Sequence, residues 1–219
     1  MSSSPLAEIY ERLLAHFGPQ HWWPAASPFE VLVGAVLTQN TNWANVEKAL
    51  ANLKDHDLLS LDALLALNLD ELAQLIRPSG YYNLKARRLH NLLTLIAEYG
   101  DLTAFLAQEQ AELREQLLSV KGIGPETADS IILYGAGQPA FVVDAYTFRF
   151  LRRHGLVGEE SSYEEMQELF TSALPLDAPL FNEYHALIVR LAKEYCLKRR
   201  PRCQDCPLAQ VTPIYLEEE

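Results

Sequence analysis

The chain has 219 residues, room for one large domain or two small ones and for a packed core. Leu-rich stretches, ten glycines and few β-branched runs point to helix, and no stretch of 18 uninterrupted apolar residues offers a membrane span. The N-terminus carries no basic segment leading into an apolar core, so the reading is cytoplasmic, and a formal net charge of −11 argues at first against nucleic acid.

Apolar spacing is helical nearly throughout. Leu6, Ile9, Tyr10, Leu13, Leu14 and Phe17 mark a first helix that stops at Gly18-Pro19. Ser27-Pro28-Phe29-Glu30 reads as a capping-box start with Pro at the first helical position, and it opens a segment, Val31–Gln39, apolar enough to be a buried helix. The pattern then predicts helices at 42–54, 57–67, 70–76, 82–99, 109–118, 125–134, 144–154, 162–173 and 178–197. Ala140–Val143 could pass for a strand, but nothing nearby offers a partner. The expected class is all-α. Pro- and Gly-rich breaks at 18–28 and 135–139 divide it into a middle helical block, 25–135, and a second block of 1–24 plus 136–219. Between the blocks the expectation is a cleft containing Trp22–Pro24 and Gln39, with Asp144 at its rim.

The charge is unevenly spread. Thirteen of the 18 basic residues fall in Arg77–Arg88, Arg149–Arg153 and Arg190–Arg202, where Glu194 is the one acid. That distribution favours a one-sided basic footprint. Within Val120-Lys-Gly-Ile-Gly-Pro-Glu-Thr-Ala-Asp129, Gly122 and Gly124 make a tight turn with outward backbone N–H groups, and Pro125 opens a helix. Exposed amides beside a helix N-terminus suit a phosphate. Asp144, eighteen residues after Glu126, follows an apolar approach and begins another helix. The pattern reads as a helix-hairpin-helix gripping a DNA backbone, with one carboxylate beside it.

Several motifs together resemble the endonuclease III (HhH-GPD) superfamily of DNA glycosylases, over roughly residues 22–206. They are Leu37-Thr-Gln-Asn-Thr41, Ser79-Gly-Tyr-Tyr-Asn-Leu-Lys-Ala86, Lys121-Gly-Ile-Gly124, Val143-Asp144 and the terminal cysteines. Trp22-Trp23-Pro24, Phe29-Glu30, Gly34–Thr41, Arg77–Asn83 and Gly122–Glu126 are most similar to the 3-methyladenine DNA glycosylase III branch. The resemblance implies double-stranded DNA with damaged bases as partner, and a monomeric enzyme. Such an enzyme must flip the nucleotide and fill the hole it leaves. The family positions that plug the stack fall on Gln39 and Tyr81; taken alone, Gln39 could cap its helix and Tyr81 could be packing. Lys85, Lys121, Gly122, Gly124, Arg199 and Arg200 complete the expected DNA-binding set.

Asp144 falls on the family's catalytic acid, which activates a water or stabilises the oxocarbenium-like sugar. It also reads as a helix N-cap before Ala145-Tyr-Thr-Phe. Bifunctional relatives have a lysine where this chain has Glu126, and that amine forms a Schiff base with the sugar. A glutamate cannot, so the resemblance implies base release without strand cleavage. Glu126 reads as a pocket residue or as a first-turn acid favoured by the helix dipole. Taken alone the Trp22–Trp23 pair could be core, but with Pro24 it falls in a loop between helices. Trp22, Trp23 and Trp43 would supply flat π surfaces that favour a cationic, methylated purine. The alternatives are an endonuclease III-like enzyme for oxidised pyrimidines or mispaired bases, and a DNA-binding protein without activity.

Cys196-x6-Cys203-x2-Cys206 matches three of four family ligands to a [4Fe–4S] cluster, with Thr212 in the fourth position. Three readings stay open: a cluster with a displaced or non-protein fourth ligand, a decayed site with free thiols, or another metal such as zinc. The six histidines show no ligand spacing and read as structural or solvated.

Overall fold

A computed structural model describes residues 5–211; Thr212 lies outside them. Twelve α-helices are found among the described residues. In order they are α1 (Pro5–Phe17), α2 (Pro28–Leu37), α3 (Trp43–Asp55), α4 (Leu61–Ala66), α5 (Leu69–Leu75) and α6 (Tyr82–Tyr99). After these come α7 (Leu102–Leu106), α8 (Gln110–Ser119), α9 (Pro125–Ser130), α10 (Ala145–Arg153), α11 (Tyr163–Ala173) and α12 (Ala178–Glu194). A 3-10 turn, Arg77–Ser79, precedes α6, and a π-helical turn, Ile131–Gly135, continues α9. The protein is all-α. It divides into two compact units, one of residues up to Trp23 plus Pro139 onward, the other Pro24–Gln138.

The second unit is built around α2, buried along its whole length from Phe29 to Leu37. It packs against α3, α6 and the π-helical turn. Ser27 Oγ accepts from the Glu30 N–H at 3.2 Å. The reciprocal half of the expected capping box is absent. Glu30, 3 % exposed, turns its carboxylate to the Ala26 N–H (3.0 Å) and to Lys54 Nζ (2.5 Å) instead. A buried carboxylate needs a cation as well as an amide, and Lys54 on α3 supplies it. Complete capping boxes occur at Asn68/Glu71 on α5 and at Ser162/Glu165 on α11.

In the first unit α1 packs on α11 and α12, and α10 packs on α12. Phe141 stacks on Phe170 with centroids 3.6 Å apart, and Phe181 and Tyr184 close around that pair edge-on. Ala140–Val143 is buried and, among the described residues, pairs with no strand. Side chains of α11 take its backbone groups: Gln167 Nε2 donates to Phe141 O at 2.7 Å, and the Val143 N–H donates to Tyr163 Oη at 3.3 Å. This braced segment leads directly into Asp144.

Candidate active site

The hairpin of the second unit joins α8 to α9 through Val120–Gly124. Gly122 has φ +101°, a left-handed backbone that glycine adopts without strain. A Cβ there would also stand 2.4 Å from Arg88 Cγ. Gly124 behaves differently from the expected turn glycine. It is extended (φ −102°, ψ 178°), serves as the N-cap of α9, and a Cβ on it would meet nothing within 4 Å. Among the described residues, neither glycine's N–H is taken by a backbone carbonyl. Lys121 is exposed, its carbonyl held by Asn91 Nδ2 at 3.1 Å. The two helices are clamped by a forked ion pair: Arg114 Nε and Nη2 reach Asp129 Oδ1 and Oδ2 at 2.8 and 3.2 Å, with Asp129 fully buried. Glu126 is exposed on the first turn of α9.

Gln39 lies just past α2, half-buried. Its Nε2 donates to Gly122 O (3.1 Å) and Thr127 Oγ1 (3.0 Å), and its Oε1 accepts from Arg88 Nη1 at 2.6 Å. The amide therefore docks onto the hairpin, and the helix-cap reading of Gln39 does not hold. Tyr81 is 70 % exposed and left-handed (φ 45°, ψ 30°), so the packing reading of its ring fails as well. Lys85 requires a correction. It was expected among the DNA-facing cations, yet it is 1 % exposed, and its ammonium donates to Leu37 O (2.8 Å) and Ser79 O (2.6 Å). Burial, with the neighbouring Arg88 charge, lowers its pKa to about 8. An ammonium held inside by two carbonyls is not available to a phosphate.

In the first unit Asp144 is the N-cap of α10. Its Oδ1 accepts from the Thr147 N–H at 2.7 Å and from Thr147 Oγ1 at 3.0 Å. Its Oδ2 faces His185 Nε2 on α12 at 3.6 Å, an electrostatic contact longer than a hydrogen bond. Burial pushes the carboxyl pKa up, but His185 and the two Thr147 contacts outweigh it and hold the pKa below the ordinary 3.8. Capping and ionisation therefore coexist in one side chain that remains 14 % exposed. His185 was missed in sequence. It lies 41 positions further on, and no local spacing marks it as a carboxylate neighbour.

Trp22 and Trp23 are half-buried in the same unit, ring centroids 5.4 Å apart and tilted by 51°. Trp22 lines a groove with Gln20, Ala186, Arg190, Lys193 and Glu194. Pro24 is exposed and opens the second unit. Trp43, also in the second unit, is half-buried at the start of α3 and donates its Nε1–H to Glu47 at 2.9 Å. Asp144 and the tryptophan pair thus belong to one unit; the hairpin, Gln39, Tyr81, Trp43 and Glu126 belong to the other.

The C-terminal cysteine loop is tied to α10. Arg149 Nε donates to Cys196 O at 2.8 Å. Arg153 Nη1 reaches Leu197 O at 2.7 Å and Cys196 Sγ at 3.3 Å, and its Nη2 reaches Lys198 O at 3.2 Å. Cys196 is buried, while Cys203 and Cys206 are half-buried. Burial, and then the neighbouring thiols, raise the pKa values of Cys203 and Cys206. The chain contains three cysteines in all, so it cannot hold a cluster through four of its own thiolates. Among the described residues, no group of three or more His, Cys, Asp or Glu side chains is arranged to hold a metal. The residues present do not fit a four-cysteine centre. Arg199 and Arg200, within this loop, are exposed.

The architecture is all-α, with a helix-hairpin-helix in one unit and a capped, ionised aspartate in the other. The family model for "HhH-GPD superfamily base excision DNA repair protein" matches residues 33–176, and the chain belongs to that family of DNA glycosylases. It is 47 % identical to the Methanocaldococcus jannaschii protein "Putative DNA repair glycosylase MJ1434" over 93 % of each chain. It is 28 % identical to endonuclease III of Thermotoga maritima over 96 % of this chain and 93 % of that one. Among solved structures, Helicobacter pylori 3-methyladenine DNA glycosylase (MagIII) bound to 1,N6-ethenoadenine superposes with a TM-score of 0.74 at 34 % identity. That match covers 88 % of this chain and 98 % of that one. No described helix is long and apolar enough to cross a membrane.

Proposed function

We propose that this member of the family is a monofunctional glycosylase that excises cationic, methylated purines and leaves an abasic site. The observation carrying the reading is the state of Asp144. Thr147 fixes one carboxylate oxygen and His185 faces the other, so the group is ionised and aimed before substrate arrives. As the C1′–N bond of a methylated purine breaks, its electron pair neutralises the positive charge of the base, which leaves without being protonated. Positive charge develops on the sugar instead. The Asp144 carboxylate stabilises it and takes a proton from the water whose oxygen bonds to C1′.

Position 126 supports the monofunctional part of the reading. Its carboxylate can form no imine, and Lys121 is expected to meet phosphate from the exposed side of the turn. Trp22, Trp23, Pro24 and Trp43 are assigned to base recognition, with Glu126 adding negative charge that favours a cation over a neutral base. The solved 3-methyladenine glycosylase at 34 % identity favours the same substrate class. The Gly122 and Gly124 amides, Lys121, Arg199 and Arg200 are assigned to the backbone, and Gln39 and Tyr81 to the vacated stack.

Base release from duplexes carrying alkylated, oxidised or mispaired bases tests the reading. Release of methylated purines well ahead of the other two classes is expected. Preference for an oxidised pyrimidine or a mismatch would replace the substrate assignment, and binding without any release would leave a DNA-binding protein.

A further inference from the structure

Leu37 ends α2, and two residues on stands Gln39. Ser79 ends the 3-10 turn, and two residues on stands Tyr81. The carbonyls of Leu37 and Ser79 are joined by one buried group, the Lys85 ammonium, at 2.8 and 2.6 Å. A single cation thus ties the backbone roots of both side chains assigned to the base stack. We propose that Lys85 is a positioning residue that locks the Gln39 and Tyr81 segments together as one rigid wedge. This rests on the roles given to Gln39 and Tyr81 above.

The chemistry of the group supports the tie. Burying an ammonium is costly, and an apolar side chain of similar length would fill the same space without that cost. Only a donor with several protons at one point can satisfy two carbonyls at once. Leu37 O is also one of the orphan carbonyls at a helix C-terminus, where a cation is favoured. An apolar replacement would leave both carbonyls unpaired and the two segments unlinked. Arg88, one turn along α6, holds the Gln39 side chain itself at 2.6 Å. One helix therefore grips this segment at both backbone and side chain.

The test separates wedge formation from chemistry. Asp144→Asn protein, with and without Lys85→Met, is bound to a duplex with 2-aminopurine beside a tetrahydrofuran abasic analogue. The parent is expected to raise the fluorescence by unstacking, and Lys85→Met to lose most of that rise. Binding of Lys85→Met to undamaged duplex should stay within about twofold, because the hairpin contacts are intact. In the active background its single-turnover base release should fall by about a hundredfold, as expected for a misplaced positioning element. An undiminished fluorescence rise would overturn the proposal, as would a parallel loss of binding to undamaged duplex, or no rise in the parent. Should Lys85→Met fail to melt cooperatively, Lys85→Gln carries the test. It is uncharged and one bond shorter than the lysine arm, and its fluorescence rise and base release must fall together. A wild-type chain releasing no base at all would remove the glycosylase reading, yet the fluorescence comparison would still decide the role of Lys85.

Discussion

Replacing Asp144 by Asn removes one negative charge and leaves the helix cap in place. The Asn Oδ1 can still accept the Thr147 N–H and hydroxyl, now 2.7 and 3.0 Å from Asp144 Oδ1. Asn and Asp are near-equal N-caps, so the thermal midpoint should move little. The amide facing His185 can neither take a proton from water nor offset charge on the sugar. Loss of a positioned general base costs ~10²–10⁴ in rate, or about 2.7–5.4 kcal/mol of barrier. Single-turnover base release from methylated duplex gives the rate, and anisotropy on a duplex with an abasic analogue gives binding. The expected pattern is a rate lowered by that factor, with affinity and melting nearly unchanged. A rate within threefold of wild type, or rate and stability lost together, would refute the reasoning. The sign of the pH dependence follows from the same geometry. The carboxyl pKa lies below 3.8, so the active form persists as pH falls from 8 to 5 and is lost only on passing through that depressed value. Any contribution of the cap to stability follows the same direction: present above the ordinary carboxylate range and lost at lower pH. An acid limb above pH 5 that vanishes in Asp144→Asn would contradict this.

The hairpin glycines should separate by function. Gly122→Ala, strained at φ +101° and 2.4 Å from Arg88 Cγ, should lower stability by ~1–3 kcal/mol in denaturant melts. Gly124→Ala should leave stability within about 1 kcal/mol, since its Cβ meets open space, but weaken DNA binding by crowding the amides. Arg114→Ala would take the forked cation away from the buried Asp129 carboxylate and should cost ~3–5 kcal/mol; double variants with Asp129→Asn, showing partial recovery, would confirm the cause. Arg199→Ala and Arg200→Ala should each weaken binding to all sequences alike and reduce the salt slope by about 1. Sequence-dependent effects would move these arginines off the backbone.

Helices with an unbroken apolar stripe and a strong punctuation mark were legible. Residues 82–99 form α6 over that whole range, stopped at Gly100, and Asp144 caps α10 as its composition suggests. The short α7 was not foreseen, since five residues contain too little period to read. The π-helical turn after Ser130 was hidden for a different reason: its residues are as apolar and helix-forming as those of an α-helix. At the candidate site, local motifs pointed to the hairpin and the acid. What escaped depended on long-range partners. Lys85 read as one more cation beside Arg87 and Arg88 because its burial is set by carbonyls 48 and 6 residues away. His185 and the Arg114–Asp129 clamp were invisible likewise, being contacts that exist only once helices pack.

The central claim is hydrolysis by a lone carboxylate, with no amine attacking the sugar. Incubating the chain with end-labelled methylated duplex, in parallel reactions without borohydride for the strand readout and with borohydride for adduct trapping, tests it most directly. The account predicts strands that stay intact until alkali cuts them at abasic sites, and no protein–DNA adduct. A borohydride-trapped adduct accompanied by strand cleavage in neutral buffer would contradict it.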